Sequence, residues 1–147
     1  MIAPARIAAY EILQAVSSRR ADLSTATARA RATLHDERDR ALASEIATGV
    51  ERWRLTLDHL IQHLVRRPIA TLDPEVLDVL RLVAYQILHL SRVPVSAAVD
   101  DAVKMARKVG KGSASGLVNA VLRTLSRTRH ALPLPKRPED GGDHDAA

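Results

Sequence analysis

Residues 102–138 contain nine lysines and arginines and not one aspartate or glutamate. Lys104, Arg107, Lys108 and Lys111 come first, and at 100° per residue of helix they gather on one face. Arg123 and Arg127 follow, one helical turn apart, with Asn119 leading the same row. Such side chains make and break no bonds by themselves. Their chemistry is the attraction of a polyanion through phosphate contacts. Ordinary surface helices interleave acids with bases at i,i+4, and here only Asp100 and Asp101, ahead of the stripe, do so. A solvated face and polyanion binding are thus the two readings of the stripe, and its lack of acids favours the second.

Other residues that could carry chemistry are less well supported. His59 and His63 have the i,i+4 spacing of a two-histidine metal site, but Leu60 follows where a metalloprotease needs Glu, and no third ligand is evident. Surface or satisfied histidines are the expectation. Gly110-Lys111-Gly112-Ser113 invites comparison with a nucleotide phosphate loop, yet the spacing is wrong and a helical pattern precedes it, not a strand. What remains is a helix N-terminus near Ser113 whose free backbone N–H groups suit one phosphate, against a plain connecting loop. With no cysteine, disulfides, thiolate metal sites and cysteine nucleophiles are all excluded from these residues. No glycine fingerprint for a dinucleotide or supported catalytic triad is present, so no catalytic residue, cofactor or metal ligand is assigned.

The chain has 147 residues and a net charge of +5, with 22 basic and 17 acidic side chains. Four of the acids fall in the last nine residues, leaving residues 1–138 at +9. The only aromatics are Tyr10, Trp53 and Tyr85. Trp53 is read as core, so base stacking is poorly provided for and binding should rest on phosphates and shape. Met1 to Tyr10 lacks the pattern of a secretory signal, and no run approaches the ~18 apolar residues of a membrane span. A soluble, cytoplasmic protein is expected.

The elements that must position the basic stripe are all helical in pattern. Pro4 suits a first helical turn, followed by Ala8, Ala9, Ile12, Leu13 and Val16 at helical spacing. Asp22 or Ser24 can cap an Ala-rich second helix reaching about Leu34. Asp36 with Asp39 resembles a capping box for a third helix presenting Leu42, Ile46, Val50 and Trp53. The pattern continues through Leu57, Leu60, Ile61 and Leu64, with a bend expected near Gly49. Asp73-Pro74-Glu75 is a strong start signal for a helix to about Leu90. That helix is apolar almost all round, which marks it as central. After Pro94 a helix from about Val95 to Val109 carries the stripe, with Val99, Ala102 and Ala106 opposite it. A Gly/Ser/Lys loop then leads to a last helix with Val118, Val121, Leu122 and Leu125 inward. No strand pattern is present. The expected division is residues 1–130 as one all-α bundle and residues 131–147, rich in proline and acids, as an extended linker or tail.

Three motifs, in order, resemble a known family: Leu80-Arg81-Leu82-Val83-Ala84-Tyr85-Gln86-Ile87-Leu88, then Arg92-Val93-Pro94 with Ala97-Ala98-Val99, then Gly116-Leu117-Val118-Asn119-Ala120-Val121-Leu122-Arg123. Over roughly residues 4–128 the sequence is similar to the NusB/RsmB helical domain. The resemblance implies a bundle of about six or seven helices that binds RNA. Two branches share it. One is the free-standing NusB antitermination factor, which binds boxA RNA with the ribosomal protein NusE. The other is the RsmB branch, in which the domain precedes a catalytic domain that makes 5-methylcytosine in small-subunit rRNA. The Asn-Ala-Val-Leu-Arg at 119–123, the stretch 92–107 and Leu132-Pro133-Leu134-Pro135 look more like the RsmB branch. That chemistry needs a cysteine nucleophile and S-adenosylmethionine, so this chain would supply rRNA positioning and a missing catalytic domain the cofactor. A helical protein–protein module is the third alternative. Where relatives carry Asn-Glu this chain has Asp100-Asp101, and Lys104 replaces a usual Glu. Arg6 alone corresponds to the arginine-rich start of the first helix in NusB relatives. The expected RNA contacts are Lys104, Arg107, Lys108, Lys111, Asn119, Arg123 and Arg127, with Arg6 as an outlier.

Overall fold

The structure is a computed structural model and describes residues 1–129. Seven α-helices follow one another: α1 (Pro4–Ser17), α2 (Leu23–Ala32), α3 (Glu37–Arg52), α4 (Arg54–Val65), α5 (Pro74–His89), α6 (Val95–Lys108) and α7 (Ser115–Thr128). Short 3-10 turns, Ile69–Thr71 and Gly112–Ala114, precede α5 and α7. Among the described residues there is no strand. No helix among them is long and apolar enough to cross a membrane. The expected tail, residues 131–147, lies outside the described residues.

Local chemistry explains most of the helix boundaries. Pro4 occupies the first turn of α1, where its missing N–H costs nothing. The Asp22 carboxylate accepts from the Thr25 N–H (2.8 Å) and starts α2. Asp36 caps α3 by accepting from the Arg38 N–H (2.7 Å). Asp73 precedes α5 as its N-cap, but its side chain makes no capping bond and reaches Lys111 instead (3.3 Å).

Two expectations for the α3–α4 region need correction. The chain breaks at Trp53, not at Gly49. Gly49 lies inside α3, where the Tyr85 ring of α5 rests against its backbone and overlaps the space of any Cβ. Its role is close helix approach, the use of glycine that a bend signal imitates. Trp53 is half-buried, not core, and stacks on His89 with ring centroids 4.7 Å apart.

Helix α5 is the axis of the bundle. Every residue from Val76 to Ile87 is buried, and α1, α3, α4, α6 and α7 all pack against it. Each fully buried Leu or Val contributes about 1.5–3 kcal/mol relative to exposure. Three polar side chains inside this apolar helix need partners. Arg81 donates to Asp58 Oδ1 (2.7 Å) and Oδ2 (2.9 Å) and to Asp78 Oδ1 (2.9 Å). Burial alone would lower the Arg81 pKa, but the two carboxylates outweigh it and raise the value. Asp78 is closed off by Gln14 Nε2 (2.7 Å) and the Ser17 hydroxyl (3.3 Å) of α1. The third, Gln86, joins α1 to α6 as described below. Tyr10 sits over the same α1–α5 seam, and its pKa is pushed up to about 12, first by burial and then by Glu75 and Asp78.

Candidate nucleic-acid interface

Helices α6 and α7 are joined by the Gly112–Ala114 turn and pack side by side. Ala98, Val99, Ala102, Met105 and Ala106 bury one side of α6. Val118, Val121, Leu122 and Leu125 do the same for α7. Burying these faces forces the remaining residues outward. Lys104, Arg107, Lys108, Asn119, Arg123 and Arg127 are all exposed.

Between the two helices runs an open groove of about 360 Å³, lined by Asp100, Val103, Lys104, Arg107, Ser115, Gly116 and Asn119. Lys104 and Arg107 lie on one wall, and Asn119 with the first turn of α7 forms the other. That turn has no side-chain cap; the Ser115 N–H is taken by the Gly112 carbonyl of the preceding 3-10 turn, and Ser115 and Gly116 line the groove. Cationic side chains, an amide and a helix N-terminus are the groups that hold phosphate oxygens.

The expected contact residues fall into three groups. Lys104, Arg107 and Lys108 make no ion pair with a described residue. Arg127 is held only by the Thr124 hydroxyl (3.3 Å) on its own helix. Lys111 and Arg123 have carboxylate partners: Asp73 at 3.3 Å and Asp100 at 3.7 Å. Both are partly exposed pairs, which contribute little and exchange readily. Arg123 Nε also donates to Asn119 Oδ1 (3.4 Å), so the row on α7 is pre-aligned. Ser115, Gly116 and Asp100 complete the groove and were not among the residues assigned from sequence. Only the helix-start reading near Ser113 pointed toward the first two.

Arg6 is a correction. Its side chain is buried, with Nη1 donating to Asp101 Oδ2 (2.8 Å) and Nε to Gln86 Oε1 (2.9 Å). Gln86 Nε2 donates in turn to the Leu82 carbonyl (3.0 Å), and Asp101 Oδ2 also accepts the Ala3 N–H (3.0 Å). The guanidinium pins α1 to α5 and α6 and cannot reach a ligand. Asp101, which the sequence places at the head of the basic stripe, is therefore turned inward to this pair, while Asp100 lines the groove.

His59 and His63 are exposed on α4. No group of three or more potential metal ligands occurs among the described residues.

Residues 3–127 match the NusB family. The ribosomal RNA small subunit methyltransferase B of Pseudomonas putida is 38% identical over 127 residues, spanning 86% of this chain but 29% of that protein. The chain thus spans less than a third of that relative's length. The transcription antitermination protein NusB of Coxiella burnetii is 34% identical over 94 residues, covering 63% of this chain and 68% of that protein. The fold matches a solved complex of NusB and NusE with double-stranded RNA, with a TM-score of 0.77 over 85% of this chain and 95% of that one, at 18% identity. With the match covering nearly all of the helical residues and the bundle superposing on a NusB chain, the protein belongs to the NusB family.

Proposed function

We propose that this chain is an RNA-binding domain, that the α6–α7 groove is its phosphate-contacting surface, and that it positions small-subunit rRNA for a 5-methylcytosine methyltransferase of the RsmB type. The observation that carries the reading is the juxtaposition of Lys104, Arg107 and Asn119 with the uncapped first turn of α7 in one groove. The similarity to methyltransferase B, which extends over most of this chain, supports the choice of branch. Domains that only orient a substrate contribute by holding the reacting atom in place, work that phosphate contacts far from the chemistry can do. The cysteine and the S-adenosylmethionine would belong to a catalytic domain outside these 147 residues, and the site of action would be the cytoplasm. Lys104, Arg107, Lys108 and Arg127 are the principal contacts, with Asn119 orienting and Lys111 and Arg123 joining on release from their carboxylates.

A second reading, a free-standing antitermination or rRNA-processing factor acting with NusE on boxA-type RNA, is favoured by the match to Coxiella NusB, which covers 68% of that protein. Anisotropy titrations over a range of salt test both. Four phosphate contacts at about 0.7 each give a log–log salt slope near −3 for single-stranded RNA. Tighter binding to small-subunit rRNA fragments than to boxA RNA supports the first reading. The reverse order, enhanced by NusE, supports the second. A flat salt response retires the groove in either case.

A further inference from the structure

Helix α4 ends on an arginine in an unusual backbone conformation. Arg66 is its C-cap with φ 62° and ψ 35°, in the left-handed region. Glycine or asparagine usually takes such a position at a helix end, because a Cβ there is strained. An outlier of this kind asks what the side chain does. His59, Gln62, His63, Arg66, Arg67 and Pro68 line an open depression of about 470 Å³ with no carboxylate in its wall. Gln62 is occupied in accepting the Ile69 N–H (3.1 Å). The side chains of His59, His63, Arg66 and Arg67 are exposed and have no ion pair or hydrogen bond among the described residues.

This cluster is connected to the groove. Arg67 also lines a second depression of about 380 Å³, which takes in Ser113, Ala114 and Leu117 before and within α7. Ser115 and Gly116, in the same turn, belong to the α6–α7 groove. A surface path therefore runs from Lys104 and Arg107, over the start of α7, to Arg67 and Arg66. Two carboxylates lie along it, Asp100 in the groove and Asp73 farther on, and each has a cationic partner: Arg123 at 3.7 Å and Lys111 at 3.3 Å.

We propose that the end of α4 is a second phosphate-contact site, and that RNA held in the α6–α7 groove continues across the start of α7 to Arg66 and Arg67. The inference rests on the RNA-binding reading above. Cations near a helix C-terminus also complement its carbonyls. That role does not ask for Arg67 beyond the helix end, and the left-handed conformation, which Arg19 shares, marks this site only together with the carboxylate-free depression around Arg66.

The test uses the full chain carrying Arg66→Gly and Arg67→Gln. Glycine relieves the backbone at position 66, so the variant keeps its fold, and thermal unfolding checks this. The probes are oligouridylates, one short enough to fill only the groove and one long enough to reach α4. At 0.1 M salt, each lost phosphate contact weakens binding about fivefold and flattens the salt slope by about 0.7. The long probe should lose about 25-fold on that basis and the short probe nothing. Equal binding of both probes by variant and parent overturns the second site, as does an equal loss on both. If the parent chain binds neither probe even at low salt, the RNA-binding reading itself falls and takes this one with it.

Discussion

Replacing Lys104, Arg107 and Lys108 together with alanine removes the three cations of α6 that have no carboxylate partner among the described residues. All three are exposed and point away from the core, and alanine is the best helix former, so the bundle should keep its fold, less the roughly 0.3–1 kcal/mol that Arg107 and Lys108 each contribute at the last turn of α6. If each side chain neutralises one phosphate of a single strand, three contacts lower the salt slope by about 2 and the affinity at 0.1 M by about 100-fold. Lys111 and Arg123 differ from these three in having carboxylate partners. Each of those must give up a carboxylate, at 3.3 and 3.7 Å respectively, before it can engage a phosphate. Alanine at Lys111 or Arg123 should therefore cost less than the average of the three. The assay is fluorescence anisotropy with two rRNA fragments of unrelated sequence at several salt concentrations, beside circular dichroism to verify the fold. An unchanged slope in the triple variant would refute the groove, and a loss confined to one RNA sequence would refute phosphate contact as its basis.

Asp100→Asn should tighten RNA binding about fivefold at 0.1 M salt, as it frees Arg123 and removes the one carboxylate of the groove; weaker binding in the same titration contradicts this. Gly49→Ala drives a methyl group into the Tyr85 ring and should destabilise the protein by about 1–3 kcal/mol in urea unfolding, with RNA affinity unaltered wherever the chain is folded. Arg6→Ala leaves Asp101 buried without its counter-charge and should cost about 3–5 kcal/mol, whereas Arg6→Met with Asp101→Leu should recover much of it. Because burial raises the Tyr10 pKa to about 12 from 10, the stability this group contributes is complete below pH 10 and is lost as pH rises toward 12. Tyr10→Phe should flatten stability against pH in that alkaline window.

Much of the architecture could be read from periodicity because each helix buries a continuous stripe. The Asp73-Pro74-Glu75 signal placed the start of α5, and its apolar circumference marked it as central. Periodicity reports which face is buried but not what lies across from it. Gly49 therefore suggested a bend when it is a contact point for Tyr85, and Trp53 suggested core when it closes one helix and opens the next. Arg6 was misplaced for the same reason. Its partners, Gln86 and Asp101, are 80 and 95 residues away, and nothing local in the sequence forecasts a pairing over that distance. Lys104, Arg107 and Lys108 were legible as a stripe because it follows from helical spacing alone, but Lys111 is not on that helix: α6 ends at Lys108, and Lys111 leads the next turn and pairs with Asp73. The groove was not legible, since it exists only once the turn at Gly112–Ala114 lays α7 beside α6.

Site-directed photo-crosslinking to small-subunit rRNA, with the probe placed in turn on each helix, tests the central claim most directly. Crosslinks concentrated at positions 104, 107 and 119, fading with added salt, are the predicted result. Crosslinks on α2 and α3 with none on α6 or α7 would contradict it.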